Sequence, residues 1–200
     1  MTRKIDYFFG LGSPWAYIGL DAFAALAQEF GLEVEPRVVP LIEENGGIYS
    51  RDRPEARRAY WLTDLRRWAA LRGRALDLTD RARLSDPSPA GLLVTAAHLS
   101  GQDWLVLTRA LQTAFWGRGE DIGAPEVRRR IVEAAGFDGA ALEARAGEGD
   151  VRARQQADRE AARAAGVFGL PTWRHDGALF WGQDSLAFLE RQLRGETLIA

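Results

Sequence analysis

The chain has 200 residues, 46% hydrophobic and 27% charged, and its 26 basic and 28 acidic side chains leave a net charge of −2. That is apolar material enough for one domain, or for one domain carrying a large insertion, and the balanced charge argues against nucleic acid as a partner. The absence of cysteine excludes disulfides, thiolate metal sites and a redox thiol of the chain's own; the two histidines, His98 and His175, lie far apart without ligand-like spacing, so no metal is expected.

The N-terminus, MTRKIDYFFG, enters an apolar strand without the apolar core and small-residue cleavage site of a signal peptide. No stretch approaches the ~20 apolar residues of a membrane span. The expectation is a soluble, cytoplasmic protein with no membrane partner. Residues 3–9 read as a buried strand closed by glycine. Ser13 is placed as a helix N-cap and Pro14 at the first helical position, where its missing N–H costs nothing. Tyr17, Leu20, Ala24, Leu26, Ala27 and Phe30 then recur at roughly helical spacing until Gly31. LEVEPRVVP, residues 32–40, alternates as a second strand whose prolines favour an edge or a strand end. Together these make a β-α-β unit, which crosses over right-handed into a parallel pair.

The middle of the chain changes character. LIEENGGIYSRDRP, residues 41–54, is a loop with Asn45-Gly46-Gly47 as its turn signal. ARRAYWLTDLRRWAALRG reads as a strong amphipathic helix whose core stripe holds Tyr60, Trp61, Leu65, Trp68 and Leu71. LTDRARLSDPSP is another loop. Helices are expected over Ala90–Ser100, Asp103–Phe115 and Pro125–Ala135, and through the alanine- and arginine-rich residues 138–165, with no strand between 41 and 166. Sheet character then returns. Pro171 leads into a strand, Thr172–His175; Asp176-Gly177 is a hairpin turn; Ala178–Trp181 is its second strand. A closing helix runs from about Gln183 to Leu193. The organisation is therefore a sheet unit, residues 1–40 and 166–200, interrupted by a helical unit, residues 41–165.

FFGLGSPWAYIG, RAYWLTDLRRWA and GVFGLPTWRHDGALFWGQDSLAFLERQL, taken in order over nearly the whole chain, resemble 2-hydroxychromene-2-carboxylate isomerases and kappa-class glutathione transferases. The resemblance implies an α/β fold of thioredoxin-like, DsbA-like layout with a large helical insertion. It also implies a glutathione-binding enzyme in which a serine stands where thioredoxin-like oxidoreductases keep their first cysteine. Glutathione then supplies the thiol. Such proteins are often dimers, which makes a homodimer one arrangement to expect.

Each motif has a plain structural role and a role that the resemblance adds. Ser13 caps a helix, and it also donates a hydrogen bond to a bound thiolate at the positive end of that helix. A covalent nucleophile is not expected, because no His or Lys is recognisably paired with Ser13. Leu170-Pro171 starts a strand; in the resembled layout its bond is cis and offers the Leu170 backbone to a peptide such as glutathione. In WGQDS, residues 181–185, Asp184 and Ser185 are ordinary capping residues. The resemblance adds a cradle for the γ-glutamyl group. Backbone amides around Trp181, Gly182 and Gln183 and the Ser185 hydroxyl hold its carboxylate, and Asp184 its ammonium.

Relatives often carry arginine at position 185. Many also have a Phe-Pro-x-Asn segment where this chain has LSDPSPAG, so the chain belongs to a divergent branch. Asn45 is a turn residue, or part of a loop over the substrate. Tyr60, Trp61, Trp116 and Trp181 are candidate aromatic walls for a small aromatic carboxylate. His98 is read as structural, and Gly10-Leu11-Gly12 is no dinucleotide fingerprint, because Trp15 stands in place of the third glycine. The activity implied is a glutathione-dependent isomerisation between 2-hydroxychromene-2-carboxylate and trans-o-hydroxybenzylidenepyruvate. A kappa-like transferase acting on another electrophile, and a non-catalytic thioredoxin-like peptide-binding protein, stay open beside it.

Overall fold

The computed structural model describes residues 3–197; the extreme ends assigned above to the sheet unit lie outside the described residues. Strand β1 (Arg3–Phe9) leads through the Gly10–Ser13 turn into helix α1 (Pro14–Glu29) and on to strand β2 (Leu32–Val38). Gly31, at φ +59°, lets the chain reverse between them, a conformation a side chain would resist. The hairpin of β3 (Thr172–His175) and β4 (Ala178–Trp181) completes a four-stranded sheet in the order β2-β1-β3-β4. β1 pairs parallel with β2, and antiparallel pairing joins β1 to β3 and β3 to β4. β2 is an edge, as Pro36 requires of a residue with no N–H to give.

Alternation along β1 separates the two faces of the sheet. Ile5, Tyr7 and Phe9 point to one face, where Tyr7 stacks between Phe9 and Trp173 at centroid distances of 4.4 and 5.6 Å and meets Phe23 of α1. Phe8 points to the other face and packs with Val39, Ile42, Ala162 and Val167. The helices between the two halves of the sheet are α2 (Glu55–Leu71), α3 (Ser88–Leu99), α4 (Trp104–Gln112), α5 (Pro125–Ala134), α6 (Gly139–Ala146) and α7 (Gly149–Ala164); α8 (Leu186–Leu193) closes the fold. Their apolar residues run into the same cluster as the sheet: Leu93, Leu107, Leu111 and Ile131 share it with Tyr7 and Trp173. None of these helices is long and apolar enough to cross a membrane.

Two elements differ from expectation. The α2 stripe is narrower than its composition suggests. Leu65 and Ala69 are buried and Trp61 and Trp68 partly so, while Tyr60 and Leu71 are 63% and 74% exposed. Each helical residue is turned ~100° from the last, so a face centred on Trp61, Leu65 and Trp68 leaves Tyr60 and Leu71 outside it. The helix expected to run to Phe115 also changes hydrogen bonding at Thr113 and ends in one π-helical turn, Thr113–Gly117. Such turns are frequent at functional sites.

Candidate functional site

The β1–α1 junction is built around Ser13. Its N–H donates to the Gly10 carbonyl at 3.1 Å, and its Oγ accepts from the Ala16 N–H at 3.2 Å, the expected N-cap bond. The hydroxyl proton goes elsewhere, to the carbonyl of Leu170 at 2.9 Å. The serine thus ties the start of α1 to a segment 157 positions away in sequence. Pro14 brings no N–H, and the Trp15 N–H finds no acceptor among the described residues. One orphan donor therefore points out of the helix N-terminus, where the backbone dipoles favour an anion. The first turn of α1 holds no acidic side chain to oppose one.

The Leu170-Pro171 bond is cis. The segment before it is locked from both sides: the Thr172 hydroxyl donates to the Gly169 carbonyl at 2.7 Å, and the Gly182 N–H donates to the Pro171 carbonyl at 2.9 Å. A side chain at Gly169 would collide with the Trp181 indole, which lies against that backbone and meets Phe168 edge-on at 4.7 Å. The Leu170 N–H has no partner among the described residues. Leu170 therefore presents backbone groups toward the turn at Ser13, in the way an unfilled sheet edge presents them to a peptide.

The Trp181–Ser185 turn sorts its residues into two kinds. Gln183 is fully buried. Its Oε1 accepts from Arg72 Nε at 3.1 Å, and its Cβ occupies the space that Gly19 leaves open on α1. Its side chain joins α1 to the residue that ends α2 and is buried rather than offered to a ligand. The Ser185 hydroxyl is likewise committed, donating to the Trp181 carbonyl at 2.5 Å. Asp184 is different. It is exposed, folds back over Gly182, whose φ of +85° leaves room for its carboxylate, and pairs with no cation among the described residues.

From the helical side, Trp116 in the π-helical turn is buried, and its Nε1–H donates to the Leu11 carbonyl at 2.9 Å. It braces the turn before Ser13. Arg81, in the loop between α2 and α3, lies over the rings of Phe115 and Trp116 at 4.0 and 3.9 Å and donates to the Phe115 carbonyl. Burial among these rings pushes its guanidinium down to about 10, with Asp77 pulling the other way. The same loop is fixed further on by Ser85, whose N–H and hydroxyl donate to Asp121 at 3.0 and 2.8 Å, and Pro87 rests against Gly12.

Of the expected site residues, the structure brings Ser13, Leu170, Pro171, Trp181, Gly182 and Trp116 into one bonded assembly around the β1–α1 turn. Asn45 has another task. Its amide donates to the carbonyls of Arg163 and Val167 at 3.0 and 2.9 Å and so caps the C-terminal end of α7. Of the two candidate wall residues on α2, Trp61 faces inward beneath Arg53, whose guanidinium is 5.7 Å from the ring, and Tyr60 faces solvent. Neither is hydrogen-bonded to the assembly among the described residues. In the sequence Arg81 lies in the loop LTDRARLSDPSP, where nothing beside it marks it as a site residue. The aromatic pair Phe115-Trp116 was the one available hint, since two adjacent rings at a helix end need something to cover them.

A family model described as the DSBA-like thioredoxin domain matches residues 4–194. The chain is 32% identical to a 2-hydroxychromene-2-carboxylate isomerase of Sphingobium xenophagum over 96% of its own length and 99% of the relative's. Among solved structures, a 2-hydroxychromene-2-carboxylate isomerase superposes with a TM-score of 0.79 at 24% identity, covering 96% of this chain and 95% of the other. The cytosolic disulfide reductase DsbM of Pseudomonas aeruginosa, solved with GSH, superposes with a TM-score of 0.69 at 22% identity, over 96% and 99%.

Proposed function

The chain belongs to the DSBA-like thioredoxin family and, within it, to the 2-hydroxychromene-2-carboxylate isomerases; from that premise we propose that it interconverts 2-hydroxychromene-2-carboxylate and trans-o-hydroxybenzylidenepyruvate with glutathione as its thiol. The observation that carries the reading is Ser13. A hydroxyl, with no cysteine anywhere in the chain, stands at the helix N-terminus facing a cis-proline backbone. Thiol chemistry at that place needs a sulfur from outside. The groups around it suit a γ-glutamyl tripeptide: Leu170 backbone for peptide pairing, the orphan Trp15 N–H and helix dipole for a thiolate, and the unpaired Asp184 for an ammonium.

Bound glutathione supplies a thiolate whose reversible addition to the conjugated C=C turns it into a single bond that can rotate before elimination restores it. The chain's own part is to raise the thiolate fraction and orient it. A thiolate at a helix N-terminus is favoured over the thiol, as lowered cysteine pKa values at such positions demonstrate. Ser13 adds one donor, and its resting bond is to Leu170. The Leu170 carbonyl, with two lone pairs, can accept a peptide N–H as well as the serine proton, and Ser13 donates to the sulfur once its proton turns from Leu170. The Ala16 N–H keeps the oxygen in place throughout. The Trp116–Leu11 bond holds the turn that aims Ser13.

The test is calorimetric binding of glutathione together with the absorbance change of the benzylidenepyruvate. Wild type is expected to bind at or below millimolar glutathione and to isomerise only in its presence. Ser13→Ala is expected to retain binding, to raise the pKa of the bound thiol read at 240 nm, and to lose roughly 10- to 100-fold in rate, the worth of one hydrogen bond to a charged group. Wild type that shows no glutathione affinity at millimolar concentration sinks the proposal. An unchanged thiol pKa and rate in Ser13→Ala removes Ser13 from it.

A further inference from the structure

Arg81 is a cation in an unusual setting for this chain. Its guanidinium sits in the corner made by Phe115 and Trp116, whose planes meet at 81°. A guanidinium carries five N–H donors. One nitrogen donates to the Phe115 carbonyl, and no other protein acceptor is bonded to it among the described residues. The carboxylate acting on it, Asp77, forms no ion pair with it and accepts instead from the Thr79 N–H at 2.8 Å. Removing water from a cation without giving it a counter-charge costs stability, and cation–π contacts offset only part of that cost. None of the nitrogens of Arg81 is among the buried, unpartnered side-chain atoms, so the free donors face accessible space.

The position is as informative as the charge. Trp116 lies under the guanidinium and donates to the carbonyl of Leu11, two residues before Ser13; Pro87, on the same loop as Arg81, closes on Gly12. The helical side of the molecule thus brings a partly buried cation without a bonded carboxylate toward the Ser13 turn, and the sheet side brings the Leu170 backbone and the Gly182 turn.

We propose that Arg81 is the carboxylate-recognition residue of this site, its fork of free donors pairing with the carboxylate of a conjugated aromatic acid laid beside the Ser13 turn. The identity of that ligand rests on the isomerase reading; the anion site itself does not. The planar fork matches a carboxylate bidentately, and the rings beneath fix its plane before the ligand arrives.

The probe is trans-cinnamate, an aromatic conjugated carboxylate that cannot close a chromene ring, titrated calorimetrically with and without glutathione. Arg81→Gln is expected to weaken cinnamate at least about tenfold, the loss of a charge-assisted pair, and to leave glutathione affinity unchanged. Arg81→Lys keeps the charge without the fork and should fall between. The midpoint of thermal unfolding of Arg81→Gln should lie close to that of wild type, since the cation is only partly buried and its ring contacts and single carbonyl bond are offset by the removal of an unpaired charge. The proposal is overturned if cinnamate does not bind wild type, or binds Arg81→Gln equally well. It is also overturned if only glutathione affinity falls, which would assign the cation to a glutathione carboxylate, or if the variant loses stability and both affinities together, which would make the residue structural. Arg81-dependent cinnamate binding in a protein that ignores glutathione would sustain the anion site and remove the isomerase reading alone.

Discussion

Arg37 and Arg81 are both partly buried arginines, and they sit in opposite kinds of surroundings. Arg37, on β2, bonds Asp6 at 2.7 Å and Asp158 at 2.6 Å. Asp158 also takes Arg154 at 2.9 Å, and Asp6 also takes Arg174 at 2.8 Å. Burial would lower Arg37, but the two carboxylates outweigh it and hold its guanidinium above the ordinary value. Arg81 has rings on two sides and no carboxylate bonded to it, and it is lowered. The first network is saturated: β1, β2, β3 and α7 each contribute, and every charge meets its opposite. The second region is left open, as are the Trp15 N–H, the Leu170 N–H and Asp184. A protein that pairs its charges this fully on one side of the sheet has the means to do so on the other. The open valences lie around the Ser13 turn, where the ligands are proposed to bind.

The largest effect expected from breaking this contrast is on the saturated side. Asp158 is 1% exposed and takes both Arg37 and Arg154; its removal leaves Arg37 with Asp6 and Arg154 with Glu35 as their remaining carboxylates. Asp158→Ala should cost about 2–4 kcal/mol in urea unfolding, the worth of two charge-assisted pairs lost at a buried position without stranding either arginine, with glutathione affinity in the folded fraction unchanged. A cost under about 1 kcal/mol would show that the network behaves as a solvated surface array.

Much of this contrast could not be read from the sequence, and the reason is distance along the chain. The signals that succeeded are local. Ser13-Pro14 opens α1, and Asp176-Gly177, at φ +48° and +81°, turns the hairpin. Leu170-Pro171 precedes its strand. Each is decided by two or three neighbouring residues. The bonds that occupy the Asn45 amide could not be foreseen, because its acceptors, Arg163 and Val167, lie 118 and 122 positions away. In a Gly-flanked loop its own neighbours favour a turn and nothing more. Arg81 is hidden for the same reason: Asp80 and Arg83 beside it suggest a solvated loop, and the rings that desolvate it arrive 34 positions later. Gln183 reads as part of a capping turn, and only packing against Gly19 reveals that its side chain is interior. Local chemistry wrote the elements; which open group faces which came from tertiary contact.

Asn45 sharpens the boundary between the two regions with a smaller effect. Asn45→Ala removes two hydrogen bonds to carbonyls at the end of α7, at a cost of about 1–2 kcal/mol in unfolding. Affinity for cinnamate and glutathione should not move. If affinity moves and stability does not, Asn45 belongs with the open groups after all.

Ser185 gives the smallest change and the finest test. It sits at the start of α8, exposed enough to take a long side chain, with its hydroxyl committed to the Trp181 carbonyl. Ser185→Arg places a cation beside the Gly182–Ser185 turn, where a γ-glutamyl carboxylate is proposed to lie. The charge opposes the α8 dipole, so stability should fall by a few tenths of a kcal/mol. The same charge should tighten glutathione roughly two- to fivefold, the worth of an exposed cation–carboxylate pair. The two shifts have opposite signs, so a general loosening of the turn cannot produce both. Ser185→Ala is the control: it removes the hydroxyl bond without adding charge and should leave glutathione affinity where it was. Equal affinity in the wild type and Ser185→Arg would move the carboxylate away from this turn, leaving Leu170 and the Ser13 helix end to hold the peptide on their own.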